Sequence, residues 1–96
     1  MAYRGFHPKD SGGIEGTINH ELGHVIDNIL GVNRDKRIKY MYKQNLNNMS
    51  KYLSEYAETN IKEFIAEAWA EYTTSPTPRK LATAVGKIIE SKLKYI

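Results

Sequence analysis

The chain has 96 residues, a net charge of +3, 41% hydrophobic residues and no cysteine. This length supports one small domain with a single core and excludes two independent domains. Because cysteine is absent, disulfides and thiolate metal sites are excluded, and a metal ion would have to be held by histidine, aspartate or glutamate.

The sequence has no feature of a membrane or secreted protein. No run of about 18 apolar residues occurs, and the N-terminal stretch MAYRGFHPKD lacks the apolar segment of a signal peptide. We therefore expect a soluble protein with no membrane partner. The basic residues are spread along the chain, with a mild concentration from Arg34 to Lys43 that is typical of a solvated helix face. Since no nucleic-acid-binding motif accompanies them, nucleic acid is not expected as a partner.

The first predicted helix starts near Ile14. The glycine-rich segment before it contains one aromatic stretch, Tyr3 to Phe6, which is compatible with a short edge strand. Apolar residues then recur at helical spacing and form one stripe, made of Ile18, Leu22, Val25 and Ile29. This period predicts a helix that packs the stripe on a core and ends at Gly31 as its C-cap residue.

Two further helices, separated by a loop, are predicted after the first one. A second helical pattern runs from Asp35 to about Asn48 and repeats Ile38, Met41, Tyr42 and Leu46. The segment MSKYLSEYAETN, residues 49–60, is irregular and polar, and it is predicted to be a loop. A third helix is expected from Ile61 to Tyr72.

A last helix is predicted after the two prolines of TSPTPRK. Pro78 suits its first turn, and its apolar positions are Leu81, Val85, Ile88 or Ile89, and Leu93. The whole chain, residues 1–96, is expected to form a single domain.

The stretch HELGH within the first helix carries the chemistry. His20 and His24 are four residues apart, so both imidazoles lie on one helix face about 6 Å apart and can reach one tetrahedral ion. Glu21 lies roughly 100° further around the helix, where a carboxylate can act as general base on a water activated by zinc. The spacing predicts zinc-dependent hydrolysis of a peptide or amide bond.

Asp27, close to the two histidines in the sequence, has two possible roles. His20, His24 and Asp27 lie on the side of the helix opposite the apolar stripe. Asp27 would either orient a histidine ring or be an ordinary surface acid, and the spacing does not distinguish the two roles.

A third ligand has to come from another element, since catalytic zinc keeps three protein ligands and one open position. His7 is the remaining histidine and lies in a loop. Glu63, Glu67 and Glu71 recur on one face of the third helix with no basic residue four positions later, so their cationic partner is expected from outside that helix. Glu63 also fits the capping-box position after Asn60, and spacing leaves Glu63 and Glu67 nearly even as the ligand.

Two separated blocks resemble a known family. HPKDSGGIEGTINHELGHVID and, further along, LSEYAETNIKEFIAEAWAEY look like the zincin domain of the anthrax lethal factor type, which is also found at the C-terminal ends of phage minor head and mobile-element proteins. The likeness covers about residues 5–72. It implies that His20, His24 and Glu63 are zinc ligands and that Glu21 is the base.

The resemblance also implies roles for residues that spacing does not assign. Tyr56, seven residues before Glu63, would donate a hydrogen bond to the oxyanion, whereas without the family it would read as a buried loop tyrosine. Glu67 would be an acid beside the ligands or a helix-packing residue. Ala66 and Ala70 would let two helices approach closely.

The family pattern is not complete in this chain. Its members usually carry this unit at the end of a longer polypeptide, and a zincin cleft normally includes a sheet whose edge strand binds the substrate. The chain is therefore expected either to use Tyr3 to Phe6 as a minimal edge or to be a C-terminal piece that contacts other parts of a longer phage or mobile-element protein.

Two functions follow from these residues. The first is a zinc metallopeptidase acting on a polypeptide substrate. The alternative is a phage or mobile-element structural module in which zinc only stabilises the fold, as a metal can do in a small cysteine-free chain. The presence of Glu21 favours the enzyme, because a structural site does not need a base.

Overall fold

The computed structural model describes residues 9–95, so the stretch Tyr3 to Phe6 and His7 lie outside the described residues. Within that range 78% of the residues are helical and no strand is present, which confirms the mainly α class. The α-helices are α1 (Ile14–Leu30), α2 (Lys36–Asn45), the single-turn α3 (Met49–Tyr52), α4 (Ile61–Thr74) and α5 (Lys80–Leu93). Short 3-10 turns lie at 32–34, 46–48 and 56–58.

Polar and glycine caps fix the ends of the first two long helices. Gly31 has φ 66°, and its N–H donates to the carbonyl of Asp27, so it is the predicted C-cap of α1. Asp35 is the N-cap of α2, because its carboxylate accepts from the backbone N–H of Arg37 at 2.8 Å. Asp35 also pairs with Lys92 of α5 at 2.9 Å. Arg37 and Lys92 hold the pKa of the Asp35 carboxyl well below its usual value.

The apolar stripe of α1 faces outward, and the prediction that it packs on the core is wrong. Its side chains are roughly half or more exposed: Ile18 54%, Leu22 47%, Val25 49% and Ile29 70%. The buried residues of α1 are instead Gly16, Gly23 and Asp27. Hydrophobic period identifies the two faces of a helix but does not say which one is inward when the inward face carries glycines and polar groups.

The segment predicted as a loop between residues 49 and 60 is partly helical and contributes to the core. It forms α3 and the 3-10 turn at Tyr56–Glu58. Met49, Leu53 and Ala57 are fully buried. Their four-residue spacing was masked by the polar residues between them.

α4 and α5 follow the prediction with one change at the start of α5. Asn60 caps α4 by accepting from the N–H of Glu63 at 2.9 Å. α5 begins at Lys80 with Arg79 as its extended N-cap, so the placement of Pro78 in the first turn is wrong. The backbone N–H of Arg79 donates to the Glu71 carboxylate at 2.8 Å, and this contact holds residue 79 outside the helix.

The core lies between α4 and the other helices. α4 packs against α1, against α5 and against the turn at 56–58. Its centre is a buried cluster with members from every part of the chain after Gly31: Val32, Ile38, Met49, Leu53, Ala57, Phe64, Ile65, Ala68, Ala82, Val85 and Ile89. Among residues 9–95, no helix combines the length and apolar character needed to cross a bilayer.

Candidate metal centre

The two histidines of HELGH lie on the inner side of α1, facing α4. Their ring centroids are 4.9 Å apart, and their side chains are 20% and 25% exposed. One helical turn separates them, so the rings are neighbours on one helix face as the spacing predicts, with their planes 75° apart in an edge-to-face contact. They lie opposite the exposed apolar stripe, on the buried side of the helix.

Glu63 in the first turn of α4 faces both rings. Its Oε1 lies 3.2 Å from His20 Nε2, and its Oε2 lies 2.8 Å from His24 Nε2. The backbone N–H of Glu63 donates to the Asn60 side chain, and the Glu63 carboxylate contacts the histidines. Of the two glutamates that spacing left open, Glu63 is therefore the one that joins the pair.

These three residues meet the geometric requirement for one ion. One ligand atom from each lies within 4.8 Å of the other two. Ligand atoms about 2.0–2.1 Å from a tetrahedral ion are separated by roughly 3.3 Å, and each imidazole lies at 3.2 or 2.8 Å from one of the two Glu63 oxygens. Two imidazoles and one carboxylate are donors that suit Zn²⁺. The residues present thus fit the metal that the sequence predicts.

Glu67, one turn after Glu63, contacts His20 at its Nδ1 atom. Its Oε2 lies 2.7 Å from His20 Nδ1, and its Oε1 accepts from the hydroxyl of Ser54 at 2.6 Å. Glu67 is 2% exposed and Ser54 is fully buried. The Glu67 carboxylate raises the pKa of His20 above its ordinary value, against the opposing effect of burial, and the charges of Glu63 and Glu21 raise it further.

This contact favours the His20 tautomer in which Nδ1 carries the proton. A neutral imidazole that donates its Nδ1 proton to Glu67 keeps the Nε2 lone pair toward Glu63 and His24. The sequence offers Glu67 as an acid beside the ligands or as a packing residue, and the structure places it against His20. Ser54 was not foreseen, because a serine thirteen residues before Glu67 carries no spacing signal.

Glu71 completes the acidic face and has a cation from outside its helix, as the charge pattern predicts. It is fully buried, and its Oε1 lies 2.6 Å from a guanidinium nitrogen of Arg79. Arg79 also donates to the carbonyl of Leu53 at 2.8 Å. Glu71 is therefore a structural acid at the far end of α4.

Asp27 takes neither of the two roles considered for it. It is fully buried, and its Oδ1 accepts from the backbone N–H of Asn33 at 2.7 Å and from the Asn33 side chain at 2.9 Å. It therefore fastens the turn at 32–34 to the end of α1. Its Oδ2 has no hydrogen-bond partner among the described residues.

An open cleft of about 190 Å³ lies beside the three candidate ligands. It is lined by Ser11, Gly16, Thr17, His20, Tyr56, Glu63 and Glu67. Tyr56 is 50% exposed at the start of the 3-10 turn, so it is not the buried loop tyrosine that its sequence context suggested. Glu21 is exposed on α1, and its charge raises the pKa of His20, but it does not line the cleft.

Comparisons of the chain with protein-family models, with curated proteins and with solved structures find no match. The likeness to the lethal factor zincins therefore stays a prediction from the two sequence blocks.

Proposed function

We propose that this protein is a zinc-dependent metallopeptidase in which His20, His24 and Glu63 hold the ion. The observation that supports it is the convergence of these three side chains, from two facing helices, beside an open cleft. Three protein ligands leave one coordination position for water or substrate, which is the arrangement of catalytic zinc sites.

The protein's residues then have distinct tasks. Zn²⁺, when bound, supplies Lewis acidity and lowers the pKa of water from about 15.7 to near 7. Glu67 accepts a hydrogen bond from the Nδ1–H of His20 and so orients the ring. Glu21, which is exposed on α1 and outside the cleft lining, would accept the proton of the attacking water on its carboxylate and pass it to the leaving amine. Tyr56 donates its phenol proton in a hydrogen bond to the oxygen that becomes negative.

The partial exposure of the site favours catalysis over a structural role. The side chains of His20, His24 and Glu63 are 20%, 25% and 28% exposed, and His20 and Glu63 line the cleft. A zinc ion that only stabilises a fold is usually enclosed by four protein ligands. Among the described residues, three candidate ligands come together.

The test combines zinc content with hydrolysis of an unspecific protein substrate. The wild-type protein should hold about one zinc per chain and cleave the substrate. Glu21→Gln should keep the zinc and slow hydrolysis by about 10² to 10⁴, the usual contribution of a positioned base. Glu15→Gln, an exposed glutamate in the first turn of the same helix, is the matched control and should change neither.

Three outcomes would contradict parts of the proposal. Undiminished zinc in His24→Ala would rule out this metal site. Equal hydrolysis by Glu21→Gln would remove Glu21 from the mechanism. Stoichiometric zinc without any turnover in the wild type would favour the structural module instead.

A further inference from the structure

α1 carries an apolar face that the described part of the chain leaves uncovered. Ile14 is 82% exposed, and the stripe of Ile18, Leu22, Val25 and Ile29 is 47% to 70% exposed. The opposite face of α1 packs on α4. Among the described residues, α1 therefore has α4 as its main partner and leaves its apolar side available for another one.

The size of this face is comparable with half of a small protein interface. The five side chains together expose on the order of 500 Å², within the range of the largest apolar patch on a typical monomer. Two such faces, with Ile14 counted as a residue that flanks the stripe, would bury roughly 1,000 Å², which reaches the lower limit of the area that a specific interface needs.

The spacing of the stripe is that of a coiled-coil seam. Its residues are separated by four, three and four positions, the alternation that a and d positions follow. The pattern is also symmetric about its midpoint between Gly23 and His24. Running the helix backwards places Ile18 opposite Ile29 and Leu22 opposite Val25.

We propose that two copies of this chain associate through α1, with the two helices antiparallel about a two-fold axis. A two-fold interface must be self-complementary, and the symmetric stripe supplies four matched apolar layers when one helix is reversed. In that pairing each Leu22 meets the Val25 of the second copy, and each Ile18 meets its Ile29. The histidines remain on the other side of α1, so this association does not require the metal.

The oligomeric state tests the association. Sedimentation equilibrium of the full chain should give a mass of about 22 kDa, twice that of the 11.0 kDa chain. Leu22→Glu should return the protein to a monomer, raising the dissociation constant by at least about 30-fold, as for a central interface residue. Tyr40→Glu, at another exposed large side chain on α2, is the matched control and should leave the mass unchanged.

Cysteine cross-linking tests the orientation, since the chain has no cysteine of its own. An equimolar mixture of Ile18→Cys and Ile29→Cys should form mainly the mixed disulfide under mild oxidation. Predominant Ile18→Cys homodimers would overturn the antiparallel arrangement.

Two results would overturn the association itself. One is a monomer throughout the micromolar to millimolar range, which would leave the face to a different partner. The other is a dimer that persists unchanged in Leu22→Glu, with circular dichroism showing that the variant keeps its helices.

Discussion

The three glutamates of α4 lie one helical turn apart, and each has a different set of partners. Glu63 faces both histidines, Glu67 holds His20, and Glu71 binds Arg79. Each of these contacts reaches another segment of the chain, so the negative charges on this side of α4 are paired with groups from outside the helix. The spacing of the three residues places one candidate metal ligand, one acid that contacts His20 and one structural acid on a single helix face.

Tyr56 gives the sharpest prediction for a single residue. Tyr56→Phe should leave helix content and zinc unchanged, because the tyrosine is half exposed and is not a candidate ligand. Turnover should fall by about 10- to 1000-fold with little change in KM, since the lost hydrogen bond forms mainly in the transition state.

Kinetics and melting of the same variant separate this role from packing. Tyr52→Phe is the matched control: it is an exposed tyrosine four residues earlier that does not line the cleft, and its variant should keep full turnover. A lower melting temperature with unchanged turnover in Tyr56→Phe would make Tyr56 a packing residue.

The sequence alone could predict part of this residue-level arrangement. The spacing of His20 and His24 requires a shared helix face, and the missing cation after each glutamate predicts a partner from elsewhere. Neither feature says which glutamate meets the histidines. That choice depends on how α1 and α4 are aligned, which is a tertiary property.

At the scale of the helices, the distance between α1 and α4 determines how close the candidate ligands of the two helices come to one another. A Cβ atom added to Gly23 would lie 2.9 Å from the Cα of Ala66 and 3.3 Å from the Cβ of Trp69. The two backbones are therefore as close as a glycine against an alanine permits. This agrees with the expectation that Ala66 allows a close approach.

Gly23→Ala should push the helices apart and weaken metal binding. A methyl group against the α4 backbone costs about 1–3 kcal/mol as overpacking, offset by up to about 1 kcal/mol of helix propensity. Zinc affinity should fall at least about 10-fold, since functional groups need to stay within about 0.5 Å of their productive geometry. Zinc titration followed by calorimetry measures the change.

Gly13→Ala adds the same methyl group at the start of the same helix, where no atom lies within 4 Å, and it should keep the wild-type zinc affinity. Equal affinity in both variants would mean that the close approach of the helices does not control the site.

Helix boundaries were easier to predict than helix orientation. The bounds of α1 and α4 and the caps at Gly31 and Asn60 depend on local chemistry and agree with the sequence within a few residues. The inward face of α1 does not depend on local chemistry. Gly16 and Gly23 allow close contact, and the polar His20 and His24 meet acids of α4, so the less hydrophobic face is the buried one.

For the whole molecule, α4 contributes both to the apolar core and to the candidate metal centre, whereas α1 contributes its histidines to the centre and no fully buried member to the core cluster. The core cluster draws its fully buried members from residues 32–89, after α1 has ended. Among the described residues of α1, Ile26 and Leu30 are the apolar side chains that pack against that cluster, and both are only partly buried. α1 is instead fastened by small residues and by the contacts of its histidines with Glu63 and Glu67.

This division predicts that α1 opens first when the proposed ion is withdrawn. Without a metal, local opening of α1 exposes little apolar surface, whereas opening α4 would expose the core. With zinc at about 100 times its dissociation constant, roughly 2.7 kcal/mol would oppose that opening. Adding a chelator should therefore speed amide hydrogen exchange in α1 by about 100-fold and leave α5 almost unchanged, as measured by mass spectrometry. Equal acceleration in both helices would contradict it. The proposed metal would then control how tightly α1 stays packed on α4, and metal availability would determine the lifetime of that packed state.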